Sequence, residues 1–281
     1  MNKGKLYICP TPIGNLEDIT LRVLRILKEV DIIAAEDTRH SLKLLRHFEI
    51  EKPLTSYHQH NEKSKTQDLI KQLQEGKSIA LVSDAGMPGI SDPGEILIKE
   101  CIEEQIQLEV LPGPSASITA LVASGLETGR FSFEGFLDRD RKKRKARLEK
   151  IRSEDRTLIF YESPHRIKET LKDLLKVLGN RKAVVAREIT KKYEELIRGN
   201  LEEINEYFQN KQIKGEMVLV CQGMDPDQAE EEIQEEYKTI TIKDHLIMEM
   251  EDGLDKKEAI KKVAKLRKLP KSQVYKEAID L

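Results

Sequence analysis

The sequence predicts an α/β protein of two domains followed by a small C-terminal helical extension. Three observations carry this. Short apolar runs alternate with amphipathic helices over residues 5–124, turns dense in glycine and proline close several of those runs, and the pattern changes after Gly125-Leu126-Glu127-Thr128-Gly129. Strands that alternate with helices imply a parallel sheet whose following turns share one edge. The expected domains are 1–124, 125–224 and, with helical periodicity alone, 225–281.

At 281 residues the chain suits one large domain or two of ordinary size. With 38% hydrophobic and 35% charged residues it reads as soluble with a heavily charged surface. Its 48 basic and 50 acidic side chains leave a net charge of −2, so only local clustering can point to a polyanionic partner. The apolar runs fall far short of the ~20 residues that span a bilayer, so no membrane is expected. Met1 to Lys5 leads straight into a strand without a secretory pattern, and the expectation is a cytoplasmic protein. Cys9, Cys101 and Cys221 are dispersed in apolar surroundings, which fits free buried thiols and neither a disulfide framework nor a metal spacing.

The first strand, Leu6 to Cys9, ends in Pro10-Thr11-Pro12-Ile13-Gly14-Asn15-Leu16. Thr20 starts a helix with Leu21, Leu24 and Leu27 on its apolar face. The strand Val30 to Ala35 leads into Glu36-Asp37-Thr38-Arg39-His40, where a charged cluster reads either as a site or as a helix cap with a first-turn acid. An edge strand over Pro53 to Tyr57 precedes His58 and His60, two histidines without a third ligand, so no metal is assigned. Gly76-Lys77-Ser78 resembles the end of a phosphate loop but precedes its strand and lacks the earlier glycine, and no Gly-x-Gly-x-x-Gly occurs. The run Ser78 to Val82 is a buried strand, closed by Ser83-Asp84-Ala85-Gly86-Met87-Pro88-Gly89-Ile90-Ser91-Asp92-Pro93-Gly94. Such a turn is rigid and poor in side chains. In an open α/β sheet, ligands bind at that end of the strands. Gly86 and Gly89 let backbone approach a ligand, while Asp84 or Asp92 would take its polar groups or cap the next helix. Gln107 to Leu111 and then Pro112-Gly113-Pro114-Ser115-Ala116-Ser117 repeat the pattern, and free N–H groups at that helix start can hold a carboxylate. Three close-approach loops on one edge favour a cleft.

Phe131 to Phe136 alternates with period two, as a half-exposed strand does. Asp138 to Arg152 then holds nine Lys/Arg against three Asp/Glu, with Arg141-Lys142-Lys143-Arg144-Lys145 at its centre. A solvated helix face would explain the run, but an excess of six positive charges in a chain of net −2 points to a polyanion. Strands at Thr157 to Tyr161, Ala183 to Ala186, Glu194 to Gly199 and Glu216 to Val220 make a second, mixed sheet, and charged residues gather at their ends. Asp225 to Glu236 is an acidic linker helix, and Asp255 with Glu258 opens a helix that Leu269-Pro270 breaks before another begins. The tail has the outline of a helix-turn-helix module and equally of a docking element.

Taken together, Cys9 to Asp18, Ala35 to Arg39, Ser83 to Gly89, Leu111 to Ser115, Phe160-Tyr161-Glu162-Ser163-Pro164-His165-Arg166 and Arg187-Glu188-Ile189-Thr190-Lys191 resemble the tetrapyrrole methylase superfamily. Within it, the chain is similar to the ribosomal RNA small subunit methyltransferase I family. The resemblance spans residues 5–222, and the tail looks like that family's helical extension. It implies a homodimer of two α/β domains with S-adenosyl-L-methionine in the cleft between them. It also implies methyl transfer to the ribose 2′-hydroxyl of a decoding-centre cytidine in 16S RNA of the small ribosomal subunit. On the family pattern Pro12, Ile13, Asp84, Gly86, Gly89, Ser115 and Ala116 hold the cofactor from one side, and Tyr161, Glu188 and Glu216 from the other. Relatives acting on tetrapyrroles carry Gly-Asp-Pro where this chain has Asp84-Ala85-Gly86.

A ribose hydroxyl is a weak nucleophile, so a base or a cation near it would assist. Asp37, Arg39, Glu162, Arg187 and Lys191 are the candidates. RNA would lie across Arg39, the Arg141 to Lys145 run and Arg166, held by phosphate contacts. Two other readings stand beside this one: a methylase of small tetrapyrroles, which would not need the basic run and the tail, and a ribosome-binding or assembly protein without catalysis, which would not need the small residues of the loops.

Overall fold

The computed structural model describes residues 4–209, 211, 213–225, 240–251, 253–279 and 281. They belong to two compact units, Met1–Ile151 with Arg156–Gln222, and Arg152–Asp155 with Gly223–Leu281.

The larger unit opens with a five-stranded sheet of β1 (Lys5–Ile8), β2 (Ile32–Ala35), β3 (Leu54–Ser56), β4 (Ile79–Val82) and β5 (Gln107–Val110), in the order β3-β2-β4-β1-β5. Every pair is parallel, so all five carboxyl ends lie on one edge. The central strand β4 is buried on both faces, which is why it reads as a continuous apolar run. Its Ala80 and Val82 pack with α1 (Leu21–Glu29) and α2 (Thr38–His47). Ile79 and Leu81 point the other way, onto α3 (Glu62–Gln74) and α4 (Glu95–Glu103). Thr20 caps α1 by accepting from the Val23 N–H at 3.1 Å, as its position predicts. The buried face of α1 is Val23, Ile26 and Leu27, whereas Leu21 is 86% exposed. The expected Leu21-Leu24-Leu27 stripe is therefore rotated, because the first helical residue precedes the part of the helix that meets the sheet.

The second sheet comprises β6 (Phe131–Phe136), β7 (Thr157–Glu162), β8 (Lys182–Arg187), β9 (Glu195–Asn200) and β10 (Met217–Cys221), in the order β6-β7-β10-β8-β9. It is mixed: β6 runs parallel to β7, and the other pairs are antiparallel. On one face lie α6 (Arg141–Lys150), α7 (Ile167–Leu178) and α8 (Leu201–Gln209), around Phe160, Leu174 and Leu219. On the opposite face lies α5 (Ala116–Ser124), whose Ala120 and Leu121 pack with Ile159, Ala186, Val218 and Val220. Ile13 from the first sheet's loops joins that cluster. Simple alternation along β6 puts Phe133 and Phe136 on opposite faces. A register shift between Phe133 and Gly135 inserts one residue, and both rings reach Tyr161, at 4.9 and 5.5 Å between centroids.

The smaller unit holds α9 (Ile242–Glu251), α10 (Lys256–Leu266) and α11 (Lys271–Glu277), packed around Leu246, Ile260, Val263 and Val274. Asp255 caps α10 by accepting from the Glu258 N–H at 2.7 Å, and Pro270 stands at the start of α11. Residues 226–236 of the acidic stretch lie outside the described residues. Cys9, Cys101 and Cys221 are unpaired and buried, and burial pushes each thiol up to about 12. Among the described residues no helix is long and apolar enough to cross a membrane.

Candidate active site

The loops after β1 and β4 are zipped together at the carboxyl edge of the first sheet. The Thr11 N–H donates to the Gly86 carbonyl at 2.9 Å and the Gly86 N–H returns to the Thr11 carbonyl at 3.0 Å. The Thr11 hydroxyl adds a bond to the Ser83 carbonyl at 3.0 Å. Gly86 adopts φ +78°, and a Cβ there would stand 3.4 Å from Ile13 Cγ2. Only glycine takes this conformation without strain. The β5 loop is pressed against the β1 loop just as closely, since a Cβ on Gly113 would lie 2.3 Å from Pro10 Cγ.

These loops floor a cavity of about 610 Å³ whose far wall is the second sheet. Ile13, Gly86, Ser115 and Ala116 line it from the first side, and Tyr161 and Glu216 from the second. Six of the ten residues expected to hold a cofactor therefore meet in one space. Pro12, Asp84, Gly89 and Glu188 are not in its wall. Phe133 and Phe136 line it instead, brought there by the bulge in β6. The start of α5 opens into it: Ser115 makes no side-chain bond to that helix's amides, and its hydroxyl pairs with that of Ser117 at 3.1 Å.

Of the catalytic candidates, Glu162 and Lys191 line the cavity and Asp37, Arg39 and Arg187 do not. Glu162 is buried and already engaged, accepting from the Thr170 hydroxyl at 2.5 Å and the Ser163 N–H at 2.8 Å. That corrects its assignment as a base: it braces the loop after β7. Lys191 donates to Glu188 at 3.0 Å and Glu216 at 2.7 Å. Burial opposes its charge, but these two carboxylates hold its pKa above the ordinary value, so it is a cation at neutral pH. Asp37 caps α2 and pairs with Arg39, whose hydrogen bonds draw its carboxyl down to about 2. A group so acidic is a weak base. Arg187 is paired with Glu195 at 2.9 Å.

Asp84 caps no helix, since α4 starts at Gly94; its carboxylate accepts from the Asp37 N–H at 3.1 Å. Glu36 in turn accepts from the Asp84 N–H at 3.4 Å. Burial raises the Glu36 pKa, and the neighbouring Asp84 charge adds to this. Asp92 faces the same pair from the cavity wall. Burial, followed by the Glu36 and Asp84 charges, pushes its carboxyl up to about 7. Among the described residues no group of three or more His, Cys, Asp or Glu is arranged to hold a metal ion. The sequence reading gave Asp92 a part in ligand contact or capping and missed its proton. The available signal was its place in the Ser83 to Gly94 turn beside the Glu36 cluster.

The raised Asp92 pKa carries a sign. The folded protein holds this proton through the window between the ordinary carboxylate value and about 7, where the unfolded chain has lost it. Asp92 therefore costs stability as pH rises through that window. Asp92→Asn removes the effect, so its melting temperature gains on that of the unchanged protein between pH 5 and pH 8; parallel melting curves across that range would count against the assignment.

The basic run divides. Arg144 is 2% exposed and bonds Asp173, which is 4% exposed, at 2.9 and 2.8 Å. This corrects its place among the RNA contacts: it is the buried ion pair joining α6 to α7. Arg166 is largely spent too, donating to the Leu137 carbonyl at 2.6 Å. Arg141, Lys142 and Lys143 are exposed and Lys145 half-buried, while Arg39 is 89% exposed.

The sequence profile of the Tetrapyrrole (Corrin/Porphyrin) Methylases matches residues 5–205. The ribosomal RNA small subunit methyltransferase I of Bacillus subtilis (strain 168) is 48% identical over 97% of this chain and 93% of its own length. The protein of the same name from Thermotoga maritima is 46% identical over 220 residues, 78% of this chain and 99% of that relative. Two solved structures share the fold: a cobalt precorrin-4 methyltransferase, with a TM-score of 0.58 at 18% identity over 78% of this chain and 94% of that one, and a diphthine synthase, with 0.62 at 17% over 78% and 90%.

Proposed function

Because the chain belongs to the tetrapyrrole methylase family and, within it, to the ribosomal RNA small subunit methyltransferase I family, we propose that it transfers a methyl group from S-adenosyl-L-methionine to 16S RNA of the small ribosomal subunit. The acceptor in this reading is the ribose 2′-hydroxyl of a decoding-centre cytidine, and the enzyme works as a homodimer in the cytoplasm. Its working parts are an N-terminal domain of 1–124, a second of 125–224 and the extension 225–281.

The observation that carries the reading is the cavity at the carboxyl edge of the parallel sheet. Its volume lies within the ~300–1,000 Å³ of small-molecule sites. The cofactor fits the residues present. Ile13, Tyr161, Ala186 and Val218 offer apolar surface for its adenosine, and the start of α5 offers amide donors for its carboxylate. Asp92 and Glu216 supply negative charge that complements a sulfonium. When bound, that group supplies a methyl carbon open to in-line attack. The protein's part is then to hold the acceptor in line and keep water out, the largest share of rate in such a transfer coming from positioning. Incubation of the protein with labelled methyl donor and small subunits should label one RNA nucleotide. Label on no RNA, or label appearing only on a small tetrapyrrole, would defeat the reading.

RNA binding rests on the exposed lysines of α6. Replacing Lys142, Lys143 and Lys145 by Ser should weaken binding of the small subunit and flatten its dependence on salt, by roughly one unit of log–log slope for each phosphate that is no longer neutralised. An unchanged slope would remove α6 from the interface.

A further inference from the structure

We propose that Asp92 is the catalytic base of this transfer, its carboxylate taking the proton of the acceptor hydroxyl as that oxygen gains the methyl group. The inference rests on the methyltransferase reading above. In the step an O–C bond forms and the sulfonium C–S bond breaks, with its electron pair left on sulfur. The hydroxyl proton moves to Asp92, so no charge is stranded and nothing is oxidised or reduced.

Three carboxylates line the cavity: Asp92, Glu162 and Glu216. Two are committed elsewhere. Glu162 is held by the Thr170 hydroxyl and the Ser163 N–H, and Glu216 by the Lys191 ammonium at 2.7 Å. Asp92 has a lighter hold on it, a hydrogen bond from the Ser83 hydroxyl. It sits on the loop from β4 to α4, between Ser91, which is itself in the cavity wall, and the buried Pro93 and Gly94 that start α4. Across from this loop stands the bulged strand β6, where a Cβ on Gly135 would be 3.5 Å from Ser91 Oγ. The carboxylate is thus carried by a braced segment against the second sheet, at the side of the cavity away from the α5 start.

The groups that act on Asp92 come from three directions. Glu36 stands at the end of β2, Asp84 at the end of β4, and Glu216 at the start of β10. All three are negative, and with burial they hold its proton to about pH 7. A base performs best when its pKa lies near the working pH, because it is then both deprotonated and still basic. The rivals fail on the same measure: Lys191 is held protonated, and Asp37 is drawn down to about 2. Glu36 also has a raised pKa, but it is not in the cavity wall and acts through its charge on Asp92, as a positioning residue.

Single-turnover methyl transfer to small subunits, followed between pH 5.5 and pH 9, tests this. In the unchanged protein the rate should climb about tenfold per pH unit below pH 7 and level off above. Asp92→Asn should slow transfer by ~10²–10⁴-fold and lose the climb, while Glu36→Gln should keep the climb but move its midpoint to lower pH. A second reading needs no activity: in the cofactor-free protein with carbon-13-labelled aspartate, one carboxyl resonance should titrate near pH 7 and be missing from Asp92→Asn. A flat rate profile in the unchanged protein, a near-normal rate in Asp92→Asn, or titration of that resonance below pH 5 overturns the proposal. The profile and the titration of the unchanged protein decide the matter even where a variant fails to fold. Absence of transfer by the unchanged protein would instead overturn the methyltransferase reading.

Discussion

Arg144→Ala is expected to destabilise the protein by about 3–5 kcal/mol, the usual cost of removing one partner from a buried ion pair. The guanidinium lies almost wholly out of solvent, donates to Asp173 at 2.9 Å through Nε, and also reaches the carbonyls of Asp138 and Arg139 at 3.4 Å. Its loss leaves the Asp173 carboxylate buried, with the exposed Arg141 at 3.8 Å as its remaining cationic neighbour. Denaturant unfolding reads the effect directly. The neighbouring Lys143→Ala, on the solvent side of the same helix, should stay within about 0.5 kcal/mol. Replacing both Arg144 and Asp173 by apolar residues of similar volume should recover most of the loss, because two costly desolvations disappear together. A small effect of Arg144→Ala would mean the pair is not formed in solution, and would return Arg144 to the pool of RNA contacts.

Gly86→Trp is expected to weaken S-adenosyl-L-methionine binding at least ~100-fold while the fold survives. The added ring has one direction to take, into the cavity past Ile13, and it would occupy the floor against which a ligand must lie. The left-handed backbone at this position adds a strain of roughly 1–2 kcal/mol. Gly125→Ala separates the two contributions: Gly125 has φ +73° with nothing within 4 Å of its Cβ, so that variant bears the strain without the obstruction. Calorimetry should show normal affinity for Gly125→Ala and none measurable for Gly86→Trp. Intact binding by Gly86→Trp would place the cofactor elsewhere.

The sequence carried the fold well because its signals were local. A buried parallel strand such as β4 is apolar throughout, Thr20 and Asp255 are placed where helices need caps, and tight turns require their glycines at Gly86 and Gly113. What stayed illegible depends on contacts between distant residues. The inward turn of Arg144 is decided by Asp173, twenty-nine positions away, and no composition of a basic run reveals which of its members faces the core. The same holds for Asp92, whose proton is set by Glu36 across two strands, and for Phe136, which one inserted residue turns toward Tyr161. Six cofactor residues were found because loop glycines and helix starts mark themselves, while the catalytic acids do not.

The packing of α5 also limits how the enzyme can admit its substrates. This helix follows β5 in the chain yet seals the underside of the other sheet, together with Ile13 and Ile189, in one apolar cluster. Swinging the halves apart like a clamshell would tear that shared core open and wet it. Entry and exit must therefore be managed by the rim, through small excursions of the segments around Ser91 and Lys191, while the body behind them stays shut.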